Sequence, residues 1–395
     1  MTHWSDDLLA SKGFCTRPFF HAYISQNGKA IVCCNNLDYV YGNVNESSFD
    51  YVMGKDNPRL TEFRQQFINS NELPDSCRLC KTKFGSAYKQ QHIDRTKHLL
   101  RKFNSVEDLI NNEKIYTYDI RFSNVCNLKC QYCGPNASSR IAAKFYNKGL
   151  RNTVLETISN DNSQEILSRF KNNINDIVEF YFAGGEPLIM KEHYDILDIC
   201  LANNKTDIIL SYSSNFTLLQ TNKYNVLDYW SKFKNIRFNA SIDAGWQQFE
   251  FIRDGGSWSD VEENFKKIQQ MPHIKLTITP VPAFWNLVGF ARVYKYLVEN
   301  NLLTRQNHGF GGEIIDHDLL KPAVLPRHIK DRIIEIYNTD YKDYPELHVL
   351  LRHLEGDLTH LLPKTKRYVN DICQAKNVNF ADIFPEIKDV FDNVK

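Results

Sequence analysis

This 395-residue sequence lacks several things, and each absence narrows what it encodes. No apolar run reaches the roughly 18 residues that span a bilayer, which predicts a soluble protein with no membrane partner. No charge excess exists: 48 Lys+Arg against 47 Asp+Glu leave a net +1, which disfavours an electrostatically driven nucleic-acid binder. The opening MTHWSDDLLASKG has neither a basic n-region nor an apolar h-region, so it predicts no secretory signal and a cytoplasmic location. Low-complexity tracts, sequence repeats and a Gly-rich phosphate loop are missing too. What is present suffices for a full core, with 42% hydrophobic and 13% aromatic residues. At about 150 residues per domain, the length allows two to three domains, or one barrel with appendages.

The ten cysteines are the informative residues, and eight of them precede residue 134. They fall at 15, 33, 34, 77, 80, 126, 130, 133, 200 and 373. A large cytosolic chain needs no disulfides to hold its fold, so clustered cysteines point to metal ligands or catalysts.

Two regions follow from patterning. Up to about residue 105 the chain is irregular. Strand-like His21–Ser25 and Ala30–Cys34 are joined through Asn27-Gly28, a dipeptide suited to a tight turn. Asn57-Pro58 reads as an N-cap with proline at N1, followed by Leu60, Phe63 and Phe67 at helical spacing. Cys77-Arg78-Leu79-Cys80 is expected in a loop, and a polar helix over 86–103 leads out. From about residue 115 strands and helices alternate, which predicts a parallel α/β architecture. The candidate strands are Tyr116–Phe122, Ile177–Ala183, Asp207–Ser213, Ile236–Ile242 and Ile274–Val281, with a weaker sixth at Gly312–Asp316. Apolar stripes lie between them: Tyr194, Leu197 and Leu201; Val261, Phe265 and Ile268; Leu287, Phe290, Tyr294 and Leu297. The tail is expected to be helical, with Leu347, Leu351, Leu354, Leu358 and Leu361 on one face. The fold class is therefore α/β. It is a partial (β/α)6 TIM-like barrel over 106–320, with a small cysteine-rich module over 1–105 and a helical extension over 321–395.

Directly after the first barrel strand comes Cys126-x3-Cys130-x2-Cys133. Three thiolates from one loop hold three irons of a 4Fe–4S cube and leave the fourth open to a small chelating molecule. A structural zinc would want four ligands, and this loop offers no nearby fourth Cys or His. With Tyr132 before the last cysteine, the loop resembles the signature of the radical SAM superfamily. Gly184-Gly185-Glu186-Pro187 after the second strand is similar to that family's methionine-binding motif. Asn215, Ser241, Asp243 and Arg253 resemble its ribose and carboxylate contacts, and Thr279-Pro280 lies where the fifth strand meets the adenine. All follow the C-terminal ends of successive strands, where barrel enzymes carry their sites.

Cys15-x12-Gly28-x4-Cys33, followed by Cys77-x2-Cys80, resembles the twitch or SPASM module, in which four cysteines hold an auxiliary 4Fe–4S cluster. The usual order places that module after the barrel; here it comes before. Spacing alone also permits structural zinc. Cys34 points away from Cys33 along a strand, so only one of them readily serves the cluster. Cys200 and Cys373 read as plain buried cysteines. The basic stretch Arg95–Lys102, and Arg140, Lys144, Lys148 and Arg151, read as solvated helix faces. His308, Glu313, Asp316 and His317 are candidates to face substrate or water.

The resemblance implies an enzyme that binds S-adenosylmethionine on the open iron and cleaves it reductively to a 5′-deoxyadenosyl radical. That radical takes hydrogen from an unactivated carbon of a peptide or protein side chain, or of a sugar or other small metabolite. An electron donor such as flavodoxin or ferredoxin is the implied partner. The contrasting reading is a non-catalytic iron–sulfur carrier or a zinc-stabilised binding protein, which has no use for Gly184-Gly185-Glu186-Pro187.

Overall fold

A computed structural model of the chain describes residues 4–146, 157–158, 160–305, 317–392 and 394. Its strands are β1 (His21–Ile24), β2 (Lys29–Cys33), β3 (Asn36–Asn43), β4 (Thr117–Ile120), β5 (Lys129–Cys130), β6 (Glu179–Phe182), β7 (Ile209–Ser214), β8 (Asn235–Ala240), β9 (Arg253–Asp254) and β10 (Ile274–Ile278). Eight of them form a mixed sheet in the order β10-β8-β7-β6-β4-β1-β2-β3, while β5 and β9 pair separately. The five barrel strands expected from patterning appear as β4, β6, β7, β8 and β10. Gly312–Asp316 lies outside the described residues.

The chain divides into two compact units. The first comprises Met1–Cys126, Pro135–Tyr212 and Val226–Ile236; the second comprises Asn127–Gly134, Ser213–Asn225 and Arg237–Lys395.

In the first unit β4, β6 and β7 pair in parallel, with Thr117 opposite Glu179 and Glu179 opposite Ile209. Alternation sends Tyr118, Phe180, Phe182 and Tyr212 to one face, where Phe170 of the helix Asn160–Asn173 and His193 of the helix Lys191–Ala202 pack on them. Thr117, Asp119, Glu179, Tyr181 and Ser211 point the other way. That polar face is covered by the helix Lys83–Thr96, whose Arg95 pairs with the buried Glu179 at 3.2 Å. Arg95 is itself exposed, as expected of a solvated helix face, and from there it partners the Glu179 carboxylate, which needs a partner once desolvated. Lys97 and Arg101 do pair at the surface, with Asp94 and Asp6.

The N-terminal hairpin is not set apart from this sheet. Gly28 turns it at φ +83°, and β1 then runs parallel to β4, with His21 opposite Thr117 and Ile24 opposite Ile120. The pairing satisfies backbone groups that would otherwise leave an open edge on each strand. Asn57 caps the helix Pro58–Asn69 by accepting from the Arg59 and Leu60 N–H groups. Leu60, Phe63 and Phe67 of that helix are buried, and the two phenylalanines pack with Phe14, Phe19, Phe20 and Phe103 in the module's own core. The expected long polar helix is a shorter α-helix, Lys83–Thr96, that tightens into 3-10 turns over Lys97–Lys102. Cys77 and Cys80 lie in 3-10 turns over Asp75–Lys81 rather than in open loop.

The second unit holds the ends of β7 and β8, β10 and the C-terminal helices. Val261, Phe265 and Ile268, and Leu287, Phe290, Tyr294 and Leu297, are buried as their spacing predicts. In the tail the 3-10 helix Pro345–Leu354 buries Leu347, Leu350 and Leu354, because its shorter repeat turns Leu351 off the inner face. The α-helix proper is Leu362–Lys376, with Arg327–Asp340 ahead of it.

Candidate metal and cofactor sites

Within the first unit, Cys15, Cys33, Cys77 and Cys80 line one cavity, together with Arg17, Val32, Phe67, Leu73, Tyr88 and Lys89. Cys77 and Cys80 lie in the 3-10 stretch Asp75–Lys81, which kinks at Cys77 (φ −92°, ψ 25°), and both line the cavity. Cys33 faces the cavity; Cys34 instead lies 3.5 Å from the Tyr88 hydroxyl. Burial raises the thiol pKa of Cys15, Cys33 and Cys80, and pushes that of Cys77 up to about 12, against hydrogen bonds from Asn36 and Ser76. A metal taken up here therefore displaces protons. No trio of His, Cys, Asp or Glu among the described residues is set closely enough to hold a single metal ion. Four cysteines lining one cavity are the donor set that a 4Fe–4S cluster needs.

The barrel loop begins in the first unit. Val125 and Cys126 are held by backbone: the Glu186 N–H donates to the Val125 carbonyl at 2.7 Å, and the Cys126 N–H to Ser139 Oγ at 3.3 Å. Gly184 adopts φ +122°, and Gly185 presses so closely that a Cβ there would overlap the Val125 carbonyl. Glu186 is fully buried, and its Oε1 accepts the Leu188 N–H at 3.2 Å, capping the short 3-10 turn Pro187–Ile189.

The rest of the loop belongs to the second unit. The Cys133 N–H donates to the Cys130 carbonyl at 3.1 Å, and a thiol hydrogen bond between these two cysteines, with burial, raises the pKa of Cys130. Cys130 in β5 pairs with Arg253 in β9, and Arg253 Nη1 donates to Cys130 Sγ at 3.8 Å. The Arg253 Nε stands 2.6 Å from Asp243 Oδ2; both residues are buried, and Asp243 Oδ1 accepts the Val281 N–H. Burial and the neighbouring Asp243 carboxylate raise the pKa of Tyr132. Asn215 holds the loop rather than standing free: its Nδ2 donates to Asn127 Oδ1 at 2.8 Å, and Asn127 Nδ2 donates to Thr217 Oγ1 at 2.9 Å. The Ser241 N–H donates to the Ser214 carbonyl, and Thr279 donates from its N–H to the Ala240 carbonyl and from its hydroxyl to Asn239 Oδ1; Pro280 is buried beside it.

Several residues that organise the loop carry no sequence signal. Tyr368, in the helix Leu362–Lys376, donates its hydroxyl to the Gln131 carbonyl at 2.7 Å, between Cys130 and Cys133. Lys376 of the same helix and Lys129 both pair with Asp254, at 2.7 and 3.3 Å. Cys200 is fully buried and Cys373 half-buried. His308, Glu313 and Asp316, with Lys148 and Arg151, lie outside the described residues.

Compared with known families, residues 120–284 match the radical SAM superfamily, and residues 15–81 match an iron–sulfur cluster-binding domain, SPASM. The chain carries a radical SAM domain preceded by a SPASM domain. The two matched stretches contain all seven cysteines of the two patterns, and the three-thiolate and four-thiolate sets are what an S-adenosylmethionine-binding 4Fe–4S cluster and an auxiliary cluster require. No curated protein matches the radical SAM chain in sequence. Among solved structures, it resembles anSMEcpe with bound AdoMet (18% identity, TM-score 0.40, 58% of this chain and 61% of that one). It also resembles Streptococcus suis SuiB bound to S-adenosylmethionine (15%, 0.39, 72% and 64%). A third is SuiB bound to the precursor peptide SuiA (15%, 0.37, 69% and 62%). The radical SAM chain thus spans less than two thirds of the length of these structures.

Proposed function

We propose that this protein is a radical SAM enzyme that abstracts hydrogen from an unactivated carbon of a peptide or protein side chain. The observation that carries the reading is the cysteine loop in its setting: Cys126, Cys130 and Cys133 after β4, with the turn at Gly184–Glu186 hydrogen-bonded to the residue before Cys126. Cys126, Cys130 and Cys133 would hold a 4Fe–4S cluster, which would supply the electron for reductive cleavage of S-adenosylmethionine to methionine and a 5′-deoxyadenosyl radical. The chain's own part is positional. Gly184 and Gly185 bring backbone close to the loop, and Glu186 fixes the turn that offers backbone groups to an amino-acid ligand. Arg253, charged and next to Cys130, lowers the cost of concentrating thiolate charge there.

The SPASM module supports the peptide reading, since relatives that carry it often modify peptides or protein side chains, while others act on sugars or other small molecules. We assign 1–105 to that module, 106–320 to the barrel and 321–395 to a helical extension. An electron donor such as flavodoxin or ferredoxin and a cytoplasmic setting complete the reading. No helix among the described residues is long and apolar enough to cross a membrane.

The test is to incubate anaerobically reconstituted, reduced protein with S-adenosylmethionine and measure 5′-deoxyadenosine. Wild type is expected to form it, and Cys126→Ala, Cys130→Ala and Cys133→Ala are not, while Cys200→Ala and Cys373→Ala still do. Folded wild-type protein with about eight irons and no 5′-deoxyadenosine would refute the enzyme reading.

A further inference from the structure

Arg17 lies two residues after Cys15, in the short helix Arg17–Phe20, and its side chain forms part of the wall of the four-cysteine cavity. It is 8% exposed, its guanidinium carbon sits 4.6 Å from the centre of the Tyr88 ring, and its Nε has no hydrogen-bond partner. No carboxylate among the described residues forms an ion pair with it. Other buried cations here are better satisfied. Arg64 donates to the Pro18, Ile110 and Asn112 carbonyls and leaves only its Nη2 without a partner. Lys89, in the same cavity wall, donates to the Lys12 and Phe14 carbonyls at 2.8 and 3.2 Å. A guanidinium taken out of water with an unused N–H and no counter-ion is stabilised by negative charge placed beside it. What the cavity lacks is negative charge. Four thiolates around a 4Fe–4S cluster supply it, and they supply more when the cluster is reduced.

We propose that Arg17 is the internal counter-ion of the auxiliary cluster and raises its reduction potential. This rests on the reading that the SPASM module holds an iron–sulfur cluster. One electron enters from an external reductant without a proton, so the reduced assembly carries one more negative charge than the oxidised one. A fixed cation at the cavity wall favours the reduced state. The neutral Val32, Phe67 and Leu73 in the same wall keep water away and leave that charge poorly screened. Lys89 is also cationic, but its ammonium is committed to two carbonyls of the preceding segment.

The test uses the full-length chain with Cys126, Cys130 and Cys133 changed to Ala, so that the only cluster is the auxiliary one. Arg17→Gln and Arg17→Lys are made in that background. Each is reconstituted, checked for folding by circular dichroism and for four irons, and titrated with dithionite while the EPR signal of the reduced cluster is followed. Arg17→Gln is expected to lower the midpoint so that the reduced-to-oxidised ratio at the parent's midpoint falls about tenfold, about 59 mV for a one-electron couple. Arg17→Lys, which keeps the charge, is expected to stay near the parent. If Arg17→Gln folds but takes up no cluster while Arg17→Lys does, the counter-ion role is upheld as a condition of assembly. An Arg17→Gln midpoint equal to the parent's overturns the proposal. So does an Arg17→Lys shift as large as that of Arg17→Gln, or a folded Arg17→Lys that takes up no cluster. Parent protein that takes up zinc instead of iron defeats the auxiliary-cluster reading itself, and is told apart by metal analysis before any titration.

Discussion

Gly185→Ala tests whether the turn after β6 and the cysteine loop are fitted backbone to backbone. A methyl at Gly185 would lie inside contact distance of the Val125 carbonyl, with its carbon at 2.6 Å and Asn124 C at 2.7 Å. These are main-chain atoms, so no side-chain rotation relieves the overlap. Overpacking of this kind costs about 1–3 kcal/mol. Moving Val125 away also breaks the 2.7 Å bond from the Glu186 N–H, and a buried backbone hydrogen bond adds about 1 kcal/mol. The expected cost is therefore about 2–4 kcal/mol. Because Val125 precedes Cys126, the displacement also moves the first ligand of the barrel site. The assay is urea unfolding of the anaerobically reconstituted protein, with iron counted per chain: a lower midpoint and a loss toward four irons are expected. Gly134→Ala is the internal control. It follows Cys133 in the same loop, but a Cβ there meets nothing within 4 Å, so it should stay within about 0.5 kcal/mol of wild type. Gly185→Ala with full iron and unchanged midpoint would refute the reasoning, as would equal costs for the two glycines.

Three further outcomes are expected. Asp243→Asn removes the buried partner of Arg253 and should destabilise the fold by about 3–5 kcal/mol in urea unfolding; a change under about 1 kcal/mol would show that the pair is not desolvated. His193, buried with its Nε2 3.0 Å from the Tyr212 hydroxyl, is pushed down to about 3 by burial, so the unfolded chain takes its proton first as pH falls. Its stabilisation is complete above about pH 6.5 and is lost toward pH 3, by about 1 kcal/mol between pH 7.5 and 5.5; His193→Gln should flatten that part of the pH dependence, and an unaltered slope counts against it. Tyr368→Phe deletes the hydroxyl bond to the Gln131 carbonyl, worth about 1 kcal/mol, and should speed loss of the barrel cluster's visible absorbance in air while leaving the auxiliary cluster's decay unchanged.

The chemistry was more legible in the sequence than the architecture that holds it. Cys15, Cys33, Cys77 and Cys80, marked by their spacing, do line one cavity, because a C-x2-C turn is a local signal. The barrel strands were legible because alternating and apolar runs are also local signals, and β4, β6, β7, β8 and β10 fall within a few residues of where patterning puts them. The pairing of β1 with β4 was not, since it joins His21 to Thr117 across 96 residues and depends only on two unsatisfied strand edges. Tyr368 and Gln131 are 237 residues apart, and nothing about a tyrosine in an amphipathic helix marks its hydroxyl for a particular carbonyl. Asn215 shows the converse: its place after β7 was legible, but its amide is spent on Asn127, which no motif singles out.

That pairing of β1 with β4 bears on why this chain tolerates its module ahead of the barrel. A module appended after a barrel reaches the sheet only through a linker, whereas β1 is itself hydrogen-bonded to the strand that leads into Cys126. Cys33 lies at the end of β2, one strand further out in the same sheet, so Cys33 and the segment that leads into Cys126 are carried by one hydrogen-bonded framework within the first unit. Changes that weaken the β1–β4 edge should therefore displace Cys33 and Cys126 together, even though they belong to different cysteine patterns.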